Sequence, residues 1–69
     1  MTDERKLEIV RQFKEEIYKR FNLNVMSDEN LETVIEQMIV EKLGSEYITI
    51  EERVDIMERV YSSIRGLGV

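Results

Sequence analysis

The side chains of this 69-residue chain that could do chemistry are almost all carboxylates. Histidine and cysteine do not occur, so the sequence lacks the usual catalytic base, thiol nucleophile and zinc ligands. The carboxylates fall at outward helical positions in mixed charge, whereas an acid–base pair needs burial or a like-charged neighbour to separate its two pKa values. We therefore predict no catalytic residue, no metal ligand and no cofactor-binding residue, and we expect no enzyme activity from this chain.

Two short patterns partly match known cofactor sites but lack residues that those sites need. Gly66-Leu67-Gly68 lacks the third glycine, the lysine and the preceding strand of a phosphate-binding loop. Ser27 is followed by Asp28 and Glu29, whereas an acyl carrier protein, which is also small, acidic and helical, carries its phosphopantetheine at Asp-Ser-Leu. Neither pattern predicts a bound cofactor.

The charge and hydropathy of the chain exclude further classes. A net charge of −5 argues against a general binder of nucleic acid or of anionic membranes. No segment approaches the roughly 20 apolar residues that span a bilayer. The charged run from Asp3 to Lys6 near the amino terminus is unlike a signal peptide. We expect a soluble, cytoplasmic protein with no direct membrane insertion.

Capping residues divide the chain into three segments. Side chains suited to N-capping precede each segment: Thr2, Ser27 or Asp28, and Thr49. The last of these forms a capping box with Glu52, and Gly44 and Gly66 suit helix ends. These signals predict helices over roughly residues 3–21, 28–43 and 50–65. The expected fold is all-α, a compact three-helix bundle, with residues 1–69 as a single domain.

Each predicted helix carries an apolar stripe at helical spacing. In the first it comprises Leu7, Val10, Phe13, Ile17 and Phe21. In the second it comprises Leu31, Val34, Ile35, Met38 and Ile39. In the third it comprises Ile50, Val54, Met57, Val60, Tyr61 and Ile64. We expect these residues to form the core.

The middle of the chain supplies the charge imbalance, because residues 27–48 carry six acidic side chains and one basic side chain. This acidic face is either simply solvated or a docking surface for a basic partner. Three aliphatic residues also fall outside the predicted stripes, and such residues mark a docking patch only if they cluster. The candidate partner surface therefore comprises Glu32, Glu36, Val40, Ile9 and Ile56.

A helix-turn-helix protein would also have three short helices, with the third one reading DNA. The predicted outward face of that helix carries four acids beside two arginines, namely Glu51, Glu52, Asp55, Glu58, Arg59 and Arg65. Four acids facing phosphates would repel them, so we expect no nucleic-acid partner. A helix-turn-helix domain and a free-standing small helical regulator remain the alternatives to a domain of a larger protein.

The third segment and its end resemble a known family. The residues concerned are Glu51-Glu52-Arg53-Val54, then Met57, then Val60-Tyr61-Ser62-Ser63-Ile64, then Gly66-Leu67-Gly68. This pattern is similar to the N-terminal region of CpaF-like ATPases, which serve Flp pilus assembly and type II/IV secretion. In that family Gly-Leu-Gly is usually followed by Pro-Leu-Glu, whereas Val69 stands here at the proline position.

The resemblance implies an N-terminal helical domain of a longer protein. The parent would be a hexameric ATPase that uses ATP and Mg and works at the inner face of the membrane. The domain would contact neighbouring subunits or other secretion components and would have no chemistry of its own. On this interpretation Gly66, Leu67 and Gly68 are the hinge to the next domain.

Overall fold

The computed structural model describes residues 1–66, and every regular element among them is a helix. The helices are α1 (Asp3–Arg20), α2 (Asp28–Leu43) and α3 (Ile50–Arg65). The predicted all-α three-helix bundle is confirmed. The predicted range of the first helix extends one residue too far, because Phe21 is already the extended C-cap residue of α1. None of the helices described is both long enough and apolar enough to cross a membrane.

Hydroxyl side chains fix the start of each helix. The hydroxyls of Thr2, Ser27 and Thr49 each accept a hydrogen bond from the backbone N–H three residues later, at 3.2, 3.2 and 3.1 Å respectively. At α3 the backbone N–H of Thr49 also donates to Glu52 Oε1 at 3.1 Å, which completes the capping box. The N-terminal N–H groups of a helix have no partner within it, so these bonds stabilise the three starting points.

The two glycines at helix ends act in different ways. Gly66 follows α3 with φ 75°, a left-handed conformation that costs glycine little. Gly44 follows α2 with φ −63°, so the left-handed region plays no part there. Instead, a Cβ atom at Gly44 would overlap the carbonyl oxygen of Val40. The chain therefore needs glycine at the end of α2 for space and at the end of α3 for backbone conformation.

The core lies where α3 packs against both α1 and α2. Its ten buried side chains are all apolar: Ile9, Phe13, Ile17, Leu31, Ile35, Met38, Ile39, Leu43, Ile56 and Val60. Half of them belong to α2, and α3 contributes two. Burial of apolar area is the dominant stabilising term in a domain of this size, which has no disulfide.

The predicted stripe of α1 is wrong at its first position. Leu7 is 61% exposed, whereas Ile9 is 1% exposed. With 100° between successive residues, Ile9 lies about 60° from the direction midway between Phe13 and Ile17, and Leu7 lies about 100° from it. Ile9 therefore belongs to the core, and its assignment to a partner surface is wrong.

The predicted face of α3 is rotated from the observed one. Ile56, predicted to lie on the surface, is fully buried, whereas Ile50 and Val54, predicted to be core, are 80% and 45% exposed. Met57 and Tyr61 are only half-buried and pack against the edge of the core. The apolar arc of α3 is wider than the part that the other helices cover, and the structure turns the Ile56–Val60 part of it inward.

These positions predict an order of mutational effects. Ile56→Ala should lower the free energy of unfolding by about 2–5 kcal/mol, because it leaves a cavity in the core. Met57→Ala should cost about 1 kcal/mol, since that side chain is only half-buried. Urea unfolding followed by circular dichroism measures both.

Two further variants calibrate the comparison. Val40→Ala, at an exposed position of the same bundle, should change the free energy of unfolding by less than about 0.5 kcal/mol. Ile56→Val should lower the free energy of unfolding by about 0.5–1.5 kcal/mol. This milder variant measures the contribution of position 56 if Ile56→Ala does not fold. A larger loss for Met57→Ala than for Ile56→Ala would contradict the observed orientation of α3.

Candidate functional site

A groove runs between α2 and α3 and has a volume of about 420 Å³. Ile35 of α2 is fully buried and lies at its base. Val54, Met57 and Tyr61 line it from α3, at a spacing that puts them on one helix face. Three carboxylates border it: Glu32, Glu36 and Glu58. We call these seven residues, together with Ser62, the α2–α3 groove.

Apolar surface continues beyond the groove. A second depression shares Glu36 with it and is lined also by Gln37, Val40, Glu41 and Arg53. Val40 is 62% exposed there. Ile50, which is 80% exposed, lies one helical turn before Val54 on the same side of α3. Exposed aliphatic residues are ordinary when single, but a cluster bordered by polar groups is typical of an interaction site.

The predicted partner surface is only partly brought together. Glu32 and Glu36 lie on the border of the α2–α3 groove, and Val40 lies in the adjoining depression. Ile9 and Ile56 lie in the core, at 1% and 0% exposure, so their inclusion in that surface is wrong.

The predicted surface takes the wrong residue from α3, Ile56, and omits Val54, Met57 and Tyr61. The sequence pattern predicts these three residues to be core because they share one helical stripe. The available signal was the width of that stripe, since apolar residues from Ile56 round to Val54 cover about 160° of the helix. An arc wider than the roughly 100° of a typical surface helix leaves part of itself uncovered.

The predicted hinge lies at the edge of the described chain. Gly66 ends α3 in a left-handed conformation, as its residue type predicts. Leu67 and Gly68 lie outside the described residues. The hinge role of the three residues stays a prediction.

Arg65 holds the end of α3 to the α1–α2 connection. Its Nη1 and Nη2 donate to the carbonyl oxygens of Leu23 at 3.3 Å and Met26 at 2.7 Å. Its Nε lies 3.0 Å from Asp28 Oδ1, an ion pair without hydrogen-bond geometry. The prediction that Arg65 lies on an outward face is therefore wrong, because its guanidinium is engaged within the bundle. This contact lies one helical turn beyond Tyr61 of the groove.

The surroundings of Tyr61 disfavour ionisation of its hydroxyl group. Partial burial raises the pKa of Tyr61, and the nearby Asp28 carboxylate raises it further. Both effects disfavour a phenolate.

Ion pairs tie the helices together away from the groove. Lys6 Nζ lies 3.0 Å from Asp55 Oδ2 and joins α1 to α3, and Lys42 Nζ lies 2.9 Å from Glu16 Oε2 and joins α2 to α1. The hydrogen bond from Lys6 lowers the pKa of Asp55, and the one from Lys42 lowers the pKa of Glu16. The Met1 ammonium group, 2.9 Å from Glu52 Oε2, lowers the pKa of that carboxyl in the same way.

The carboxylates of the groove have no such neutralisation. None of the ion pairs formed among residues 1–66 includes Glu32, Glu36 or Glu58. A basic side chain, Arg53, lines the adjoining depression. The groove therefore combines an apolar interior with carboxylates that belong to none of these ion pairs.

The groove offers an apolar surface bordered by carboxylates. Within residues 1–66, no three carboxylates come together in a way that could hold a metal ion. An apolar groove bordered by charge can exclude water from a partner's side chains and select the partner by charge.

No family model, curated protein or solved structure matches this chain. The groove is therefore interpreted from its own geometry.

The ion pairs predict a loss of stability in acid. A carboxyl whose pKa is lowered by folding stabilises the folded state fully above its unfolded pKa, and the contribution is lost as pH falls through the lower, folded value. Asp55, Glu16 and Glu52 all shift in this direction. The urea midpoint should therefore fall as the pH is lowered from about 5 through 4 and below.

The variant Asp55→Asn should weaken this pH dependence, because it removes one of the three carboxyl groups whose pKa folding lowers. Glu15→Gln is the matched control, since Glu15 is exposed and belongs to none of the ion pairs among residues 1–66. Urea midpoints measured at several pH values compare the two. Asp55 pairs with Arg59 as well as with Lys6, so an equal pH dependence in both variants would contradict a role of these two ion pairs.

Proposed function

We propose that this chain is a non-catalytic protein-interaction domain that contacts a protein partner through the α2–α3 groove. The observation that carries the proposal is the unpaired apolar face of α3, where Val54 and Ile50 are 45% and 80% exposed beside a groove. Covering apolar area gains about 25 cal/mol for each Å² removed from water. A partner that fills the groove gains this energy without any change in the core.

We further propose that the domain is the N-terminal accessory domain of a CpaF-like ATPase of pilus assembly or secretion. The residues that resemble this family coincide with α3: Glu51 to Val54 form its first turn, and Val60 to Ile64 lie in its last turns. Gly66, which begins the Gly-Leu-Gly pattern, turns the chain sharply at the end of this helix. A connection to a following catalytic domain is consistent with that position.

The partners would then be neighbouring subunits of the hexameric ATPase or other components of the secretion apparatus. ATP and Mg would bind in the catalytic part of the parent, and the domain described here would contribute contacts alone. It would act in the cytoplasm, at the inner face of the membrane through the parent complex.

The reading frame of the natural gene tests the parentage. If the proposal holds, the codons after Val69 continue into Leu-Glu and later into a Gly-x-x-x-x-Gly-Lys-Ser/Thr loop, the backbone cradle for nucleotide phosphates. A stop codon directly after Val69 would exclude the ATPase parent and favour the free-standing regulator.

Site-specific photo-crosslinking tests the interaction surface. A photoreactive benzoylphenylalanine at position 54, in the full natural protein within the cells that make it, should give a discrete adduct with an ATPase subunit or a secretion protein. The same group at position 7 is the control, because Leu7 is 61% exposed and lies on α1. No adduct from position 54, or the same adduct from both positions, would contradict the proposal.

The DNA-binding alternative predicts a different result. The α2–α3 groove and the exposed Glu51 of α3 present carboxylates without ion-pair partners among residues 1–66, and phosphates would be repelled by them. We expect no shift of a nonspecific DNA duplex in a gel at moderate salt. A shift that weakens steeply as salt increases would favour the helix-turn-helix interpretation instead.

A further inference from the structure

We infer that the α2–α3 groove binds a single amphipathic helix of a partner protein, with lysines or arginines on both sides of that helix's apolar stripe. This inference rests on the proposed function and specifies the chemistry of the partner. Two observations carry it: the apolar interior of the groove and the distribution of charge along its two borders.

The shape of the groove suits a helix. Val54, Met57 and Tyr61 recur at i, i+3 and i+7, so they form one ridge along α3. Ile35 lies beside this ridge at the base of the groove. A furrow between two packed helices accepts the side chains of a third helix, as in helix-in-groove recognition. An apolar stripe at matching spacing would cover the exposed part of Val54.

The charges specify what surrounds that stripe. Glu32 and Glu36 are one turn apart on α2 and border one side of the groove, and Glu58 of α3 borders it too. None of them belongs to an ion pair among residues 1–66. Cations beside the partner's apolar stripe would meet these carboxylates, whereas an acidic helix would be repelled. The groove therefore selects a basic helix over an acidic one.

A second copy of this chain fits the groove less well. Its first helix exposes two large apolar side chains, Leu7 and Tyr18. Leu7 lies in a shallow depression lined also by Glu4, Glu8 and Arg11. Docking the Leu7 part of that helix would bring Glu4 and Glu8 to the carboxylates of the groove. The net charge of −5 on each copy adds a general repulsion. The complementary surface belongs to a different protein.

A pair of labelled peptides tests the charge preference on the isolated chain. The probe is an 18-residue helical peptide with leucines at i, i+4, i+7 and i+11 and lysines beside them. Its partner peptide has glutamate at every lysine position. Fluorescence anisotropy should show binding of the lysine peptide, weaker at high salt, and binding of the glutamate peptide at least about tenfold weaker. Equal binding of the two peptides would overturn the inference.

Matched protein variants test the location. Val54→Ser should weaken binding of the lysine peptide about tenfold, whereas Leu7→Ser, an exposed aliphatic position on α1, should change it less than twofold. Glu32→Lys with Glu36→Lys should weaken it about tenfold, and Glu4→Lys with Glu15→Lys, which changes the net charge equally, less than twofold. Circular dichroism establishes that each variant is folded. Equal losses in both charge-reversed pairs would show unspecific attraction and overturn the inference.

Three further outcomes separate this inference from its alternatives. A dimer in sedimentation that is lost in Val54→Ser would show that a second copy fills the groove, and would overturn the inference. A secretion-protein adduct from position 54 without lysine-peptide binding would support the proposed function and overturn the basic-helix inference. Lysine-peptide binding without any such adduct would support the groove's charge preference and count against the proposed function.

Discussion

The packing of α3 against two neighbours is the constraint on which the rest of this bundle depends. Ile56 and Val60 are its only fully buried apolar side chains among the described residues, and they lie on adjacent turns of one face. Turning that face inward leaves Ile50 and Val54 at the surface. The core and the candidate docking surface are therefore two parts of one apolar arc. A rotation of α3 that buried Val54 would expose Ile56.

The helices could be predicted because the signals that bound them are local. Thr49 and Glu52 satisfy each other's backbone N–H groups whatever the rest of the chain does. The left-handed turn at Gly66 likewise depends on its residue type. Local signals do not determine which face of each helix points inward. Ile9 and Leu7 lie about 60° and about 100° from the direction midway between Phe13 and Ile17, and the positions of the other helices decide how wide an arc of α1 is buried.

The residues of the candidate site also fall into two groups: those that local signals indicate and those that depend on how the helices pack. Glu32, Glu36 and Val40 could be predicted because a charge imbalance and an aliphatic residue opposite the core face are visible along one helix. Val54 could not, because its exposure depends on how α3 fits between α1 and α2. The engagement of Arg65 is also nonlocal, since its guanidinium reaches carbonyl oxygens about 40 positions earlier in the chain. No periodicity within α3 indicates that contact.

The positions of the ion pairs bear on both the stability of the bundle and the charge of the α2–α3 groove. Lys6 and Lys42 lie on the sides where helices meet, and each neutralises a carboxylate there. The acids of the α2–α3 groove are left without such partners among residues 1–66. Exposed ion pairs contribute little to stability, so leaving these carboxylates unpaired costs the fold little. The same charges would oppose self-association through this surface, because like charges repel. The partner that we propose would supply both the apolar stripe and the cations that these carboxylates lack.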